Sequence, residues 1–245
     1  MWTLGKLTWV ECKLFAREPF ALVFTFAFPL VVLVVLVGVF GTRPDPAFGG
    51  ARPSDYYLAG YLAVVIAAIG LVAVPVHVAA YRERGVLRRF RASSVPAWAV
   101  FGAQVLVGLV MAALGGVVLV AVGRLGYGAA LPASWAGVLV AFVVSALSFL
   151  ALGFLVASVT GNARAVQAAG MILFFPMWLL SGAGPPPQVM GAGMCHVAGL
   201  LPLTYAVRAL QRPWLGSAAA TTDLLRLAGM LLVAVVLSLR LFRSA

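Results

Sequence analysis

Charge is what this sequence has least of. Asp, Glu, Lys and Arg make up 9% of its 245 residues, against about a quarter in an average soluble domain. With 64% hydrophobic residues, too little polar surface exists to cover a water-soluble core. Acids number six and histidines two. No apolar run holds a mid-membrane carboxylate, which argues against the Asp, Glu or His relays of a proton-coupled carrier. No Ser/His/Asp or metal-ligand set is visible, so an intramembrane hydrolase fits poorly. Lysine occurs only at Lys6 and Lys13, and neither lies in a G-x-x-x-x-G-K-[ST] loop. That loop needs its lysine and backbone donors to hold nucleotide phosphates, so ATP is not bound here by that route. If the chain pumps, another polypeptide supplies the energy. Cysteine occurs at Cys12 and Cys195, without CxxC or Cys/His spacing, and supports neither a metal site nor a disulfide framework. His196 beside Cys195 is not a site by itself.

What the chain does have is long apolar runs. Several exceed the roughly 20 residues that cross a bilayer as helix, and they predict an all-α integral membrane protein. The net charge of +11 would point to nucleic acid in a soluble protein. Here no separate basic domain exists, and Lys and Arg collect in the cytoplasmic loops of membrane proteins, so nucleic acid is not expected. Arginine far outnumbers lysine, and Ala, Val and Gly abound, a usage that fits a GC-rich bacterial genome.

Six spans are expected: Pro19 to Phe40, Tyr56 to Ala80, Pro96 to Gly123, Pro132 to Val159, Ala165 to Leu180 and Leu224 to Leu239. The first is too long for a signal-peptide core and lacks a small-residue cleavage site. Pro29 should kink it. Pro75 lies near the end of the second span and Pro176 inside the fifth. Between the fifth and sixth spans, residues 181–223 hold two short apolar patches broken by Gly and Pro. Patches of this length suit interfacial or re-entrant pieces. A seventh crossing through Val189 to Leu203 is the competing reading, and would put the termini on opposite sides.

With six spans, eleven Lys and Arg fall on one side and six on the other. The positive-inside rule then places both termini in the cytoplasm, with Arg82, Arg84, Arg88, Arg89, Arg91 and Arg164. Cys12 and Cys195 face opposite compartments on this map. In residues 1–18, Lys6, Lys13 and Arg17 share one helical stripe and Trp2 and Trp9 another. An interfacial helix anchored to lipid headgroups fits this pattern. Glu11 and Glu18 interrupt its apolar side, and a plain cytoplasmic lead-in fits nearly as well. Small residues recur every four positions at Gly108, Ala112 and Gly116, and at Gly153, Ala157 and Gly161. Such stripes let helix backbones approach closely. His77 reads as a packing residue. Asp223 is placed to cap the sixth span, with Arg226 one turn on.

The densest charge lies in residues 81–95, between two apolar walls. Five Arg and Glu83 accompany Val86, Leu87 and Phe90. Arg82 to Phe90 reads as a short helix with Val86 and Phe90 on one face, a docking element; a plain topology signal is the alternative. Gly85 is unfavourable mid-helix by about 1 kcal/mol relative to Ala, and marks a turn or a helix start.

At these residues the chain resembles the membrane subunit of ABC-2 type transporters, the group that includes daunorubicin-resistance-like exporters. RERGVLRRFRASSVP, Arg82 to Pro96, is similar to the family's R-E-[RK]-G-[TV]-hydrophobic-x-R stretch. Asn162, Pro176, Ser181-Gly182, Pro185 to Pro187, Met190, Pro202, Thr204, Tyr205 and Arg208 are similar in order to its second pattern. Gly191 departs from it, standing where the family commonly has Pro. The resemblance implies one transmembrane domain over residues 1–245, dimerised with a second permease copy, the same or different. Two cytoplasmic ATPase subunits would hold ATP and Mg, and this chain no cofactor. Arg82, Glu83, Arg84, Gly85, Val86, Leu87, Arg88 and Phe90 would form the coupling helix on the ATPase. Residues 1–18 would be the interfacial connecting helix. Pro185, Pro187, Met190, Pro202 and Tyr205 would belong to external re-entrant helices capping the exit.

Pro75, Phe174, Phe175, Pro176 and Trp178 are candidates to line the pathway, because a helix proline frees a carbonyl that must find a partner or a cavity. A kink satisfied by a neighbouring helix fits the prolines equally. Met177 adds to the largely apolar set. It leans toward export of an amphipathic drug-like or lipid-like compound, as in multidrug efflux, from the bacterial inner membrane. Aromatics facing membrane lipid would look the same. A glycan or lipid-linked polymer is the alternative cargo, and an ATP-independent facilitator or a scaffold the alternative classes.

Overall fold

The structure, a computed structural model, describes residues 2–15, 17–85 and 97–243. These residues are helical almost throughout, and no strand occurs among them. Helix α1 is Trp2–Phe15. Helix α2 runs over 19–40 as Pro19–Leu22, a π-helical turn Val23–Ala27, and Phe28–Phe40. Helix α3 runs over 53–83 as Pro53–Ala68, a second π turn Ile69–Ala73, and Val74–Glu83. Then come α4 (Ala97–Tyr127), α5 (Trp135–Val159) and α6 (Ala163–Leu180). The short α7 (Ala192–Ala198), α8 (Pro202–Trp214) and the long α9 (Thr221–Arg243) complete the order.

Five described helices, α3, α4, α5, α6 and α9, are long and apolar enough to cross a membrane. This is a multi-pass membrane protein. The expected first span is helical over 19–40, and within it Thr25–Phe40 is a shorter apolar helix. The stretch read as a seventh crossing holds a 3-10 turn, Pro187–Val189, and the seven residues of α7. At 1.5 Å per residue α7 rises only about 10 Å, far short of a bilayer.

Both π turns have the same cause. A proline has no N–H to give, and its ring collides with the carbonyl four residues earlier. For Pro29 that carbonyl belongs to Thr25, and for Pro75 to Leu71. Each lies inside a π turn, where the helix widens by one residue. The expected kink of α2 is thus a widened turn, repeated in α3.

Helix α3 is the core, with 89% of its most apolar window buried by the other helices. In lipid, apolar surface gains little by leaving the solvent, so close backbone approach holds helices together. The π turn of α3 shows this contact. A Cβ on Gly153 of α5 would lie 1.8 Å from the Gly70 carbonyl oxygen. A Cβ on Gly170 of α6 would lie 2.3 Å from the carbonyl oxygen of Leu71. The carbonyl that Pro75 leaves without its helix donor therefore faces a glycine. Gly108 and Gly116 of α4 similarly meet Leu150 and Leu62, while Gly161 meets nothing within 4 Å.

The polar ends are capped locally. Ser134 Oγ accepts the Gly137 N–H at the start of α5, and Asn162 Oδ1 accepts the Ala165 N–H at the start of α6. Asp223 sits inside the first turn of α9 and bonds Arg208 at 2.8 Å. Its nearer partner is thus a side chain of α8, one loop back in the chain. Arg226, expected one turn on, lies 3.7 Å from the same oxygen, and Asp223 stands inside the helix rather than at the cap position the sequence suggested.

Candidate functional site

Helix α3 ends at Glu83, and Gly85 follows at φ +65. That left-handed backbone suits glycine and commonly stops a helix. Arg82 and Glu83 are therefore the last turn of α3, not the start of a separate helix over Arg82 to Phe90. Val86, Leu87, Arg88, Arg89, Phe90 and Arg91 lie outside the described residues. Arg84 is exposed at the turn.

Arg82 and Glu83 reach the turn between α5 and α6. The Arg82 guanidinium donates to the carbonyls of Ala157 and Thr160, at the C-terminal end of α5. The Glu83 carboxylate accepts the Ala163 N–H at 2.9 Å, at the N-terminus of α6. A helix C-terminus carries partial negative charge and an N-terminus partial positive charge. The two adjacent side chains thus meet each helix end with the opposite sign. They clamp α3 to α5 and α6 immediately before residues 86–96.

A second polar cluster lies on the same end. Glu11, on α1, is only 3% exposed. Its Oε2 accepts from Tyr81 Oη at 2.8 Å and from Gln104 Nε2 at 2.9 Å. His77 Nε2 lies 3.3 Å from the same oxygen and 3.2 Å from Tyr81 Oη. So α1 is bound through one carboxylate to α3 and α4. The sequence made Glu11 look like a blemish on an apolar side; it faces inward and is the anchor of α1. His77 was expected to pack, and it does so against Tyr81, with ring centroids 4.8 Å apart, while also joining this cluster. Outward, Trp9 is 63% exposed and carries Lys13 over its ring at 5.1 Å. Burial first, and the Glu11 charge second, raise the Cys12 thiol above its ordinary pKa.

The pathway candidates divide by exposure. Pro75 and Phe174 are buried inside the chain, Trp178 is half-buried, and Phe175 and Pro176 are exposed. Phe28 gathers three of them edge-on, with ring centroids 5.3 Å from Trp178, 6.0 Å from Phe174 and 6.2 Å from Phe175. Trp178 Nε1 donates to Tyr61 Oη. Their single-chain role is to bind α6 to α2 and α3.

The opposite end carries the cap candidates. Pro187 opens the 3-10 turn that Met190 closes, and Pro202 opens α8. Pro185 is half-buried before that turn. Tyr205 Oη donates to the Gly199 carbonyl, and its ring faces the guanidiniums of Arg208 and Arg226 at 5.5 and 5.1 Å. Gln211 donates to the Tyr56 carbonyl and Trp214 to that of Ala130, fixing α8 onto α3 and the α4–α5 connection. Gly191 has φ −66, an angle that proline also adopts, so its departure from the pattern leaves the backbone path open to either residue.

Among the described residues no group of three or more His, Cys, Asp or Glu could hold a metal ion. Both cysteines are free. No curated protein matches the chain. The family model described as ABC-2 type transporter matches residues 4–213, from α1 to the last turn of α8. On that match the chain belongs to the ABC-2 type transporter family, whose membrane permeases are transport components and not themselves ATPases.

Proposed function

We propose that this chain is the permease subunit of an ATP-driven exporter in a bacterial inner membrane, with both termini cytoplasmic. One transmembrane domain over 1–245 would cross six times, α2 included, and pair with a second copy. Residues 84–96 would receive a cytoplasmic ATPase that holds ATP and Mg. The observation that supports this most is the Arg82–Glu83 clamp. Force applied to the segment after Gly85 passes to the end of α3, and through two side chains to α5 and α6. Closure of the ATPase pair would thereby tilt three membrane helices at once. The Glu11 cluster carries the same motion to α1 and α4. Arg82 and Glu83 act within the permease, whereas Arg88 and its neighbours meet the ATPase.

The pathway would run between the two copies. The outer face of α6, with Phe175 and Pro176, borders it, and Pro75, Phe174 and Trp178 support that face from behind. An amphipathic cargo fits this apolar border, entering on the inner side and leaving beneath the Pro185 to Tyr205 cap.

Purification of the tagged chain from native membranes tests the reading. A stoichiometric ATPase is expected to co-purify. Arg88→Ala is expected to release it. Glu83→Gln combined with Arg82→Gln is expected to retain it while substrate-stimulated ATP hydrolysis falls about tenfold, the loss of one or two charge-assisted bonds. Absence of any ATPase from a complex stable in detergent would overturn the exporter reading. Full stimulation in the double variant would overturn the clamp's role.

A further inference from the structure

The coupling scheme leaves one large feature of the molecule unused. At the end opposite Glu83, a cavity of about 700 Å³ opens between the turn preceding α3, the α4–α5 connection, Gln188 and α8. Arg52, Arg208 and Arg212 line it, against a single carboxylate, Asp55. That carboxylate is already engaged: its Oδ1 accepts the Ala130 N–H at 2.7 Å and faces Ser54 Oγ at 3.5 Å. It forms no ion pair among the described residues.

The three arginines are not equivalent. Arg208 is held in place by Asp223 at 2.8 Å and by the Tyr205 ring, and its Nε is buried without a hydrogen-bond partner. Its position is set before any ligand arrives, and Asp223, which also lies 3.7 Å from Arg226, offsets part of its charge. Arg52 and Arg212 have no ion-pair partner among the described residues. Arg52 and Arg212, both exposed, together with Arg208 outnumber the one carboxylate, Asp55, in this concave space, so its charge is positive in excess and an anion placed there offsets it. A guanidinium offers a planar fork of donors that suits tetrahedral and planar oxyanions. Apolar side chains share the lining, with Leu131 48% and Leu215 36% exposed. Apolar side chains and an excess of cations in one cavity suit a molecule with an anionic head and an apolar body.

We propose that this cavity binds a phosphate-class oxyanion, carried either on an amphipathic molecule such as a phospholipid or as a free ion. That it opens on the outer side rests on the orientation proposed above; the binding does not. An exporter with such a site at its exit would hand over or sense an anionic amphipath beneath the cap.

The test is equilibrium titration of the full chain in neutral detergent, without ATP or ATPase. The probes are inorganic phosphate, dihexanoyl phosphatidylglycerol, and dihexanoyl phosphatidylcholine, whose choline offsets the phosphate charge. Saturable binding of phosphatidylglycerol over phosphatidylcholine, weakened by added salt, supports the site. Binding of phosphatidylglycerol alone assigns it to a headgroup on an apolar body. Binding of phosphate as well assigns it to the oxyanion itself. Arg52→Gln with Arg212→Gln is expected to weaken either by about tenfold, as expected for lost charge-assisted hydrogen bonds. The single variants are expected to lose less each, and they serve if the double variant does not fold. The lysine pair Arg52→Lys with Arg212→Lys keeps charge and is expected to retain part of the affinity. No saturable binding of either anionic probe, or unchanged binding in every folded glutamine variant, overturns the proposal. Because no nucleotide is involved, that failure would leave the exporter reading standing, and loss of the ATPase partner would leave this site standing.

Discussion

At Gly153 a hydrogen is all that fits. A methyl there would sit 1.8 Å from the Gly70 carbonyl oxygen, and a backbone atom cannot swing aside as a side chain can. Overpacking of this kind costs about 1–3 kcal/mol, occasionally more. Gly153→Ala is expected to lower the thermal unfolding midpoint of the protein in detergent. Gly161→Ala, four residues beyond Ala157 in the same stripe, has open space and should not. Equal midpoints for the two would show that α5 can slide away from α3. The stripe itself was legible in the sequence, and packing was its expected use. Which of its members touches a backbone was not, since a four-residue spacing marks a face without saying what lies against it. Glu11 teaches the converse. A lone acid on an apolar stripe reads as an interruption, yet its three partners come from residues 66 to 93 positions away, beyond any local pattern.

Among the elements, the segment between α6 and α8 shows how much the local sequence decides. Gly and Pro broke it into pieces too short to cross, and α7 with its flanking turns follows those breaks. Gly191 is the residue before α7, with φ −66, and its N–H donates to no described residue. Met190 before it is extended at φ −85 and ψ 142, as a residue preceding proline prefers. Gly191→Pro should therefore be accepted, with a stability gain of about 0.4–1 kcal/mol from a less free unfolded chain. A higher or equal unfolding midpoint is the expected reading, and a clear drop would mean that the N–H is used. The last turn of α3 was less legible. Gly85 reads in the sequence as a turn or a helix start, and Arg82 and Glu83 group with the arginines after it, because charge continues across the glycine while α3 ends at Glu83.

For the whole molecule, the two cysteines report its placement in the membrane. Cys12 lies on the Glu11 end and Cys195 on the cap end, in α7. With intact cells, an impermeant maleimide should label Cys195 and spare Cys12 until the membrane is opened. Cys12 should also react more slowly at a given pH, because its raised pKa keeps more of it as the unreactive thiol. Its rate should climb with pH beyond the range where an unburied cysteine levels off. Labelling of both from outside would overturn the proposed orientation.

The sequence by itself determined the class of protein, the helices to within a few residues, and the family. Each follows from local properties: apolar run length, the places where proline and glycine interrupt a helix, and the order of motif residues along the chain. Only the tertiary structure decided that α3 is the buried axis of the bundle. It also decided that prolines in two helices produce widened turns, the one in α3 met by glycines of α5 and α6, and that Arg82, Glu83 and Glu11 tie five helices together at one end. Those are contacts between residues far apart in the chain. A hydrogen bond or a close backbone approach depends on where two helices cross, and no spacing along one of them records that.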